Sequence, residues 1–219
     1  MSANIGLLRK GLDALGLDGG ENRLERLARY TDEIELWNPA YGLVKASGDE
    51  LIVKHVLDSL SVLPLICELA LPVSHVADLG TGAGLPGIPL SLFLPDSRVT
   101  LVERMEKRVR FLENQKALLG LSNVEIVQAD VERAKGPFDL VTFRAFRPFS
   151  EIKLFRAVLR LMAPGGVILA YKGKRSRAQE ELSELAAAPG LEAVTTKARV
   201  FPVSVPFLEE ERCAVVLRT

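Results

Sequence analysis

Apolar positions in the first third of the chain recur at helical spacing. Ile5, Leu8, Leu12 and Leu15 fall on one face, and the stretch from Gly16 to Gly20 interrupts them. Leu24, Leu27, Ile34 and Trp37 continue as a second stripe, which Asn38-Pro39 should end. Ser47-Gly-Asp-Glu50 has capping-box spacing and predicts a third helix from Leu51, bent or divided at Pro64. From His75 the pattern changes to β-rich runs separated by helix-length ones. Strands are expected near 75–79, 98–103, 123–128, 138–143 and 166–171, with helices near 87–94, 106–119, 150–161 and 176–187. That alternation predicts a parallel sheet. The tail differs: 192–202 and 211–218 are β-type runs whose link is too short for a crossover helix, so they should pair as a hairpin. The expected architecture is α/β. Residues 1–72 form a helical extension packed on a core of 73–219, a mostly parallel sheet ending in an antiparallel strand.

Composition narrows the setting. With 219 residues, 48% of them hydrophobic, the chain suits one well-buried domain with an appendage. No apolar run approaches the ~20 residues a membrane span needs, and the N-terminus lacks a basic head and long apolar core. A cytoplasmic protein without a membrane or a metal is expected, because Cys67 and Cys213 have neither ligand nor disulfide spacing. Lys+Arg 28 against Asp+Glu 28 gives a formal net charge of zero, which argues against gripping long nucleic acid by bulk electrostatics. Basic residues nevertheless cluster in three places: Arg104, Lys107, Arg108 and Arg110; Arg144 and Arg147; Lys172, Lys174, Arg175 and Arg177. Each cluster follows a predicted strand, on the rim where an open parallel sheet binds ligands. Together they suggest a polyanionic substrate.

The chemistry is concentrated in Val76-Ala-Asp-Leu-Gly-Thr-Gly-Ala-Gly-Leu-Pro-Gly-Ile-Pro89. Gly80, Gly82 and Gly84 let the backbone turn at positive φ and approach a ligand closely. A dinucleotide site wants G-x-G-x-x-G, and Leu85 occupies the position of its third glycine. Asp78 just before the turn is awkward beside a pyrophosphate but comfortable near an ammonium or sulfonium group. Both points favour S-adenosylmethionine over NAD or FAD. Glu103 ends the second strand, placed to accept both ribose hydroxyls. Arg104 and Met105 follow where side chains can lie along the adenine, and Ala129-Asp130-Val131-Glu132 follows the third strand, within reach of the adenine edge. This is the plan of a class I S-adenosylmethionine-dependent methyltransferase, Rossmann-like with an antiparallel C-terminal strand.

The acceptor is narrowed by what is missing. Pyrimidine C5 needs a thiolate, usually in a Pro-Cys turn, and Cys67 and Cys213 lie elsewhere. Adenine amino methylation uses an Asp/Asn-Pro-Pro-aromatic tetrad, which Thr142-Phe-Arg-Ala-Phe-Arg-Pro-Phe149 does not supply. Guanine N7 carries a lone pair and no proton, so it requires no general base. His55 and Asp58, three apart on one helix face, read first as a local hydrogen bond.

Trp37-Asn38, Lys54-His-Val-Leu-Asp-Ser-Leu60, Asp78–Leu90, Lys107-Arg-Val-Arg-Phe-Leu112, Arg144-Ala-Phe146 and Tyr171-Lys-Gly173 resemble, in this order, the RsmG (GidB) family of bacterial small-subunit rRNA guanine-N7 methyltransferases. The resemblance covers nearly the whole chain. It implies that Gly80, Leu85, Val131, Glu132 and Arg144 contact S-adenosylmethionine, beside Gly82 of the glycine turn, with Glu103, Arg104 and Met105 as the adenosine-side segment. Lys107, Arg108 and Lys172 match positions associated with RNA binding or activity. Arg144 is the expected catalytic residue, spanning cofactor and guanine. Asp130 departs from many relatives. The implied partner is 16S rRNA in a small ribosomal subunit particle, met by a monomer. Two other readings stay open: a small-molecule methyltransferase, and a non-catalytic ribosome assembly factor.

Overall fold

A computed structural model describes residues 3–145, 149 and 151–219, without the side chains of Ala3 and Asn4. Five strands run β1 His75–Leu79, β2 Arg98–Glu103, β3 Val124–Gln128, β4 Phe138–Arg144 and β5 Met162–Lys172, all parallel to their neighbours among themselves. Two more, β6 Arg199–Val203 and β7 Arg212–Arg218, pair antiparallel, and β7 inserts between β5 and β6 to give the order β3-β2-β1-β4-β5-β7-β6. The parallel unit and the hairpin match expectation. Two details do not. β5 begins at Met162 rather than 166, bridging Phe138 before an irregularity in the ladder. The run from 192 opens with a helical turn, Glu192–Thr195, so β6 starts only at Arg199.

The sheet buries both faces, and alternation along each strand sorts the side chains. Val76, Leu101, Leu140, Leu169 and Val216 face one apolar layer. Their neighbours Ala77, Val102, Val141, Ile168 and Val215 face the other. The first layer is covered by α1 Ala3–Ala14, α2 Gly20–Tyr41, α6 Gly87–Phe93 and α7 Glu106–Leu118. The second is covered by α8 Ile152–Leu159 and α9 Arg175–Ala186. The helical extension shares one continuous core with the sheet, from Leu8 to Val216.

Within that extension four expectations needed correcting. α2 does not stop at Asn38-Pro39 but carries Pro39 inside its last turn and ends at Gly42, φ +60°. Proline removes one backbone donor without ending a helix that is already finishing. The Asn38 side chain then shapes the exit: Oδ1 accepts from Leu43 and Val44 N–H, and Nδ2 donates to Val44 O. Trp37, expected to close the buried stripe, is 36% exposed. The third helix is composite: α3 Gly48–Leu51, a π-helical segment Ile52–Leu57, then α4 Asp58–Leu60 and α5 Leu63–Glu68 after a break. Pro64 stands at the start of α5, where its missing N–H costs nothing. Ser47 occupies the N-cap position but its side chain makes no capping bond, and Glu50 instead pairs with Lys54.

Candidate active site

The C-terminal ends of the parallel strands bring Leu79, Glu103, Gln128, Arg144 and Lys172 to one rim. Between β1 and α6 the glycine turn has the geometry its sequence required, with φ +68°, +61° and +96° at Gly80, Gly82 and Gly84. At Gly84 a Cβ would crowd the Ile88 side chain, which would have to shift, and the positive φ adds strain for any other residue.

Asp78 lies fully buried under this turn rather than at its surface. Its Oδ2 accepts from Thr81 Oγ1 at 2.5 Å and Gly87 N–H at 2.7 Å, tying strand, turn and helix together. Oδ1 has no partner. Burial pushes the carboxyl up to about 6, against the two hydrogen bonds and the nearby Arg144 charge. The expectation that Asp78 faces a ligand cation therefore gives way to a loop-fixing role.

Glu103 is buried as well, with both oxygens engaged. Oε2 accepts from Gly82 N–H at 3.0 Å, Oε1 from Met105 N–H at 2.9 Å, and Arg108 approaches to 3.9 Å. Beside it opens a cavity of about 750 Å³, within the usual range for small-molecule sites. Gly80, Glu103, Arg104, Met105, Val131 and Glu132 all line it, together with Arg108 and Asp130. The far wall is Ile152, Lys153 and Leu154 at the start of α8, which sequence reasoning missed. An apolar slot between Val102, Met105, Val131 and Ile152, carboxylates at its edge and a glycine at its base suit an adenosyl group.

Three expected cofactor residues sit differently: Gly82 and Leu85 of the glycine turn, and Arg144. Gly82 stands behind Glu103, its amide donated to that carboxylate. Leu85 is 5% exposed and packs in the core, its N–H bonded to Thr81 O. An apolar side chain two residues before α6 is held by the layer beneath the turn, which only the tertiary packing reveals.

Arg144 points away from the cavity toward the helical extension. Nη1 donates to Lys54 O at 3.0 Å and Asp58 Oδ2 at 3.1 Å, and Nη2 lies 2.7 Å from His55 Nδ1. Lys54 and His55 both belong to the π-helical segment Ile52–Leu57. Guanidinium nitrogens only donate, so His55 Nδ1 must be the unprotonated acceptor. Burial and the Arg144 charge lower the imidazole to about 4. The expected His55–Asp58 bond is thus replaced by two bonds to a shared arginine. Arg212 Nε completes the cluster 3.3 Å from Asp58 Oδ1, a partner with no local sequence signal.

The three basic clusters do follow strand ends, but much of their charge is matched locally. Lys172 pairs with Glu181 and lies 4.3 Å from the Phe149 ring centroid, its side chain 12% exposed. Arg110 pairs with Glu106 and Arg177 with Glu180. Arg147 and Phe146 lie outside the described residues. Lys107 is exposed and Arg108 half-buried on the first turns of α7, beside the cavity.

Residues 23–212 match the family described as GidB, rRNA small subunit methyltransferase G. The chain belongs to this family. It is 40% identical to the ribosomal RNA small subunit methyltransferase G of Treponema pallidum, over 88% of this chain and 84% of that one. To its counterpart in Serratia proteamaculans it is 38% identical, over 96% and 99%. Among solved structures, an S-adenosylmethionine-dependent methyltransferase from Aquifex aeolicus superposes with TM-score 0.55 at 19% identity, covering 86% of this chain and 97% of that one. An O-methyltransferase from Bacillus cereus gives 0.57 at 16%, over 87% and 91%. The two structures establish the shared methyltransferase fold. In this family member the Lys54–Leu60 segment and Arg144 form one hydrogen-bonded unit, which no comparison at fold level would reveal.

Proposed function

We propose that the chain methylates N7 of a guanine in 16S rRNA of the small ribosomal subunit, acting as a monomer in the bacterial cytoplasm and without a metal. Family membership makes it an S-adenosylmethionine-dependent rRNA methyltransferase. No helix among the described residues is long and apolar enough to cross a membrane. The observation that carries the reading is the cavity on the strand rim, walled by Glu103 and Val131 and lined on one side by Arg104 and Arg108.

S-adenosylmethionine supplies a methyl group on a positively charged sulfur, already activated, so alignment and exclusion of water suffice. In this chain Glu103 accepts the ribose hydroxyls, Met105 and Val131 enclose the adenine, and Gly80 leaves room at the turn. Arg104 and Glu132 close the rim. Arg108 and Lys107 hold phosphates beside the cavity mouth. A role for Arg144 at the reacting base requires release from Lys54, His55 and Asp58, and Lys172 reaches RNA only on leaving Glu181.

The N7 assignment is supported by the chemistry absent from the lining. Cys67 is exposed on α5 and Cys213 is buried with its thiol donated to Gly173 O, so neither offers a thiolate to the cavity. A lone-pair nucleophile needs none. The test is mapping of N7-methylguanosine in 16S rRNA from cells with and without the gene, followed by transfer of labelled methyl to small subunits from the deletion strain. One guanine should lose its mark and regain it. An unchanged methylation pattern rejects the reading, and turnover on a purified metabolite supports a small-molecule enzyme instead.

A further inference from the structure

Large apolar side chains are scarce on this surface: Leu36, Trp37, Met105 and Phe207 are those exposed among the described residues. Two of the four, Trp37 and Met105, flank one junction. Leu36 and Trp37 lie near the end of α2, and Met105 caps the start of α7, where Lys107 and Arg108 follow. The junction is closed by Arg108 Nη2, 3.4 Å from Gly42 O just beyond α2. Arg108 also lines the cavity, so one side chain joins the end of α2 to the candidate site.

Trp37 is exposed yet held. Its Nε1 donates to Glu33 Oε2 at 2.9 Å, and Tyr41 meets it edge to face with centroids 5.3 Å apart. The Lys107 ammonium lies 5.2 Å from the Tyr41 centroid. Glu33 is turned toward donors, with Asn114 Nδ2 and Gln115 Nε2 each 3.5 Å from the same oxygen, which mutes its charge toward an anion outside. A solvent-facing indole costs hydrophobic free energy, and fixing its orientation costs entropy as well. A pinned aromatic surface bordered by cations is the composition that single-stranded nucleic acid requires. Any base can stack on the ring, while neighbouring ammonium and guanidinium groups take phosphates.

We propose that Trp37 is a stacking platform for an unpaired base of the rRNA, flanking the guanine that enters the cavity. This rests on the RNA-methylating reading above. The ring is held for the base by Glu33 and Tyr41, and Lys107 and Arg108 link the platform to the cavity mouth.

The test uses the full chain and small subunits from a strain lacking it. Trp37→Ala should raise the KM for particles about tenfold, with kcat and S-adenosylmethionine affinity unchanged, and Trp37→Phe should restore most of the loss. Benzoylphenylalanine at position 37 should photocrosslink to 16S rRNA within a few nucleotides of the methylated guanine. A wild-type KM in Trp37→Ala overturns the proposal, as does a crosslink to a ribosomal protein or to rRNA remote from that guanine. Should Trp37→Ala fail to fold, Trp37→Phe and the crosslink still decide. Failure of the activity reading looks different: the wild-type chain would leave the particles unmethylated.

Discussion

His55 Nδ1 accepts from the Arg144 guanidinium at 2.7 Å, and an imidazolium has no lone pair to offer there. The unfolded chain binds that proton near pH 6.5 and the folded chain near 4, so the contribution is intact above 6.5 and lost as pH falls through this window. Asp78 runs the other way. Its folded value of about 6 lies above the unfolded 3.8, so the cost of its buried charge is present above pH 6 and relieved below. The two trends offset each other in the wild type. His55→Asn keeps an acceptor that does not titrate, and His75 titrates identically in both proteins. The melting temperature of His55→Asn should therefore rise relative to wild type by about 3 °C between pH 6.5 and pH 4.5. Parallel curves in differential scanning calorimetry would remove His55 from the account. At Glu103, replacement by Ala leaves the Gly82 and Met105 amides without their acceptor and removes the proposed ribose partner. S-adenosylmethionine should then bind about tenfold more weakly or worse, as measured by titration calorimetry, with Glu103→Gln in between. The place of Glu103 at the tip of β2, beside the cavity, was legible because the end of that strand is written in its local sequence. Asp78 was misjudged because nothing local says whether a carboxylate faces ligand or backbone.

At the scale of elements, the glycine turn separates backbone strain from crowding. Gly84 and Gly190 both have positive φ, +96° and +76°, but only at Gly84 would a Cβ meet neighbours, with Ile88 at 2.4 Å and Leu112 at 3.1 Å. Gly190→Ala should lose about 1 kcal/mol from the αL penalty alone. Gly84→Ala should lose about 3 kcal/mol, since overpacking adds to the strain. Urea unfolding of the two variants measures the difference, and equal losses would mean that the turn yields freely. Lys172 and Glu181 clamp β5 to α9, largely hidden from water. Lys172→Ala leaves a carboxylate without its partner and should destabilise the fold by about 2 kcal/mol, while Lys172→Met with Glu181→Leu recovers most of it. That control separates loss of activity through folding from loss of an RNA contact. The central strands were readable as short β-rich apolar runs, buried on both faces and set apart by helix-length stretches. The π-helical segment was not, because an extra residue per turn leaves no mark in the apolar pattern.

On the scale of the molecule, the helical extension is structurally continuous with the sheet. Tyr30 donates to Ala83 O in the glycine turn at 2.8 Å, Arg144 is bonded to the π-helical segment, and one core runs through both. A chain beginning at Val73 should lack a fixed tertiary structure, with dispersed amide resonances lost in a proton–nitrogen spectrum. A well-dispersed spectrum would show an autonomous methyltransferase core. The parallel sheet, the hairpin tail, the glycine turn and the acid at the tip of β2 were determined by the sequence alone, since each rests on short-range spacing and backbone sterics. Tertiary structure decided the partners of charged and aromatic groups: Arg144 with His55 and Asp58, Lys172 with Glu181, Trp37 outside the core it was spaced to join. Side chains far apart in sequence meet only through the packing of whole elements, and the low dielectric they meet in sets both their charge and their orientation.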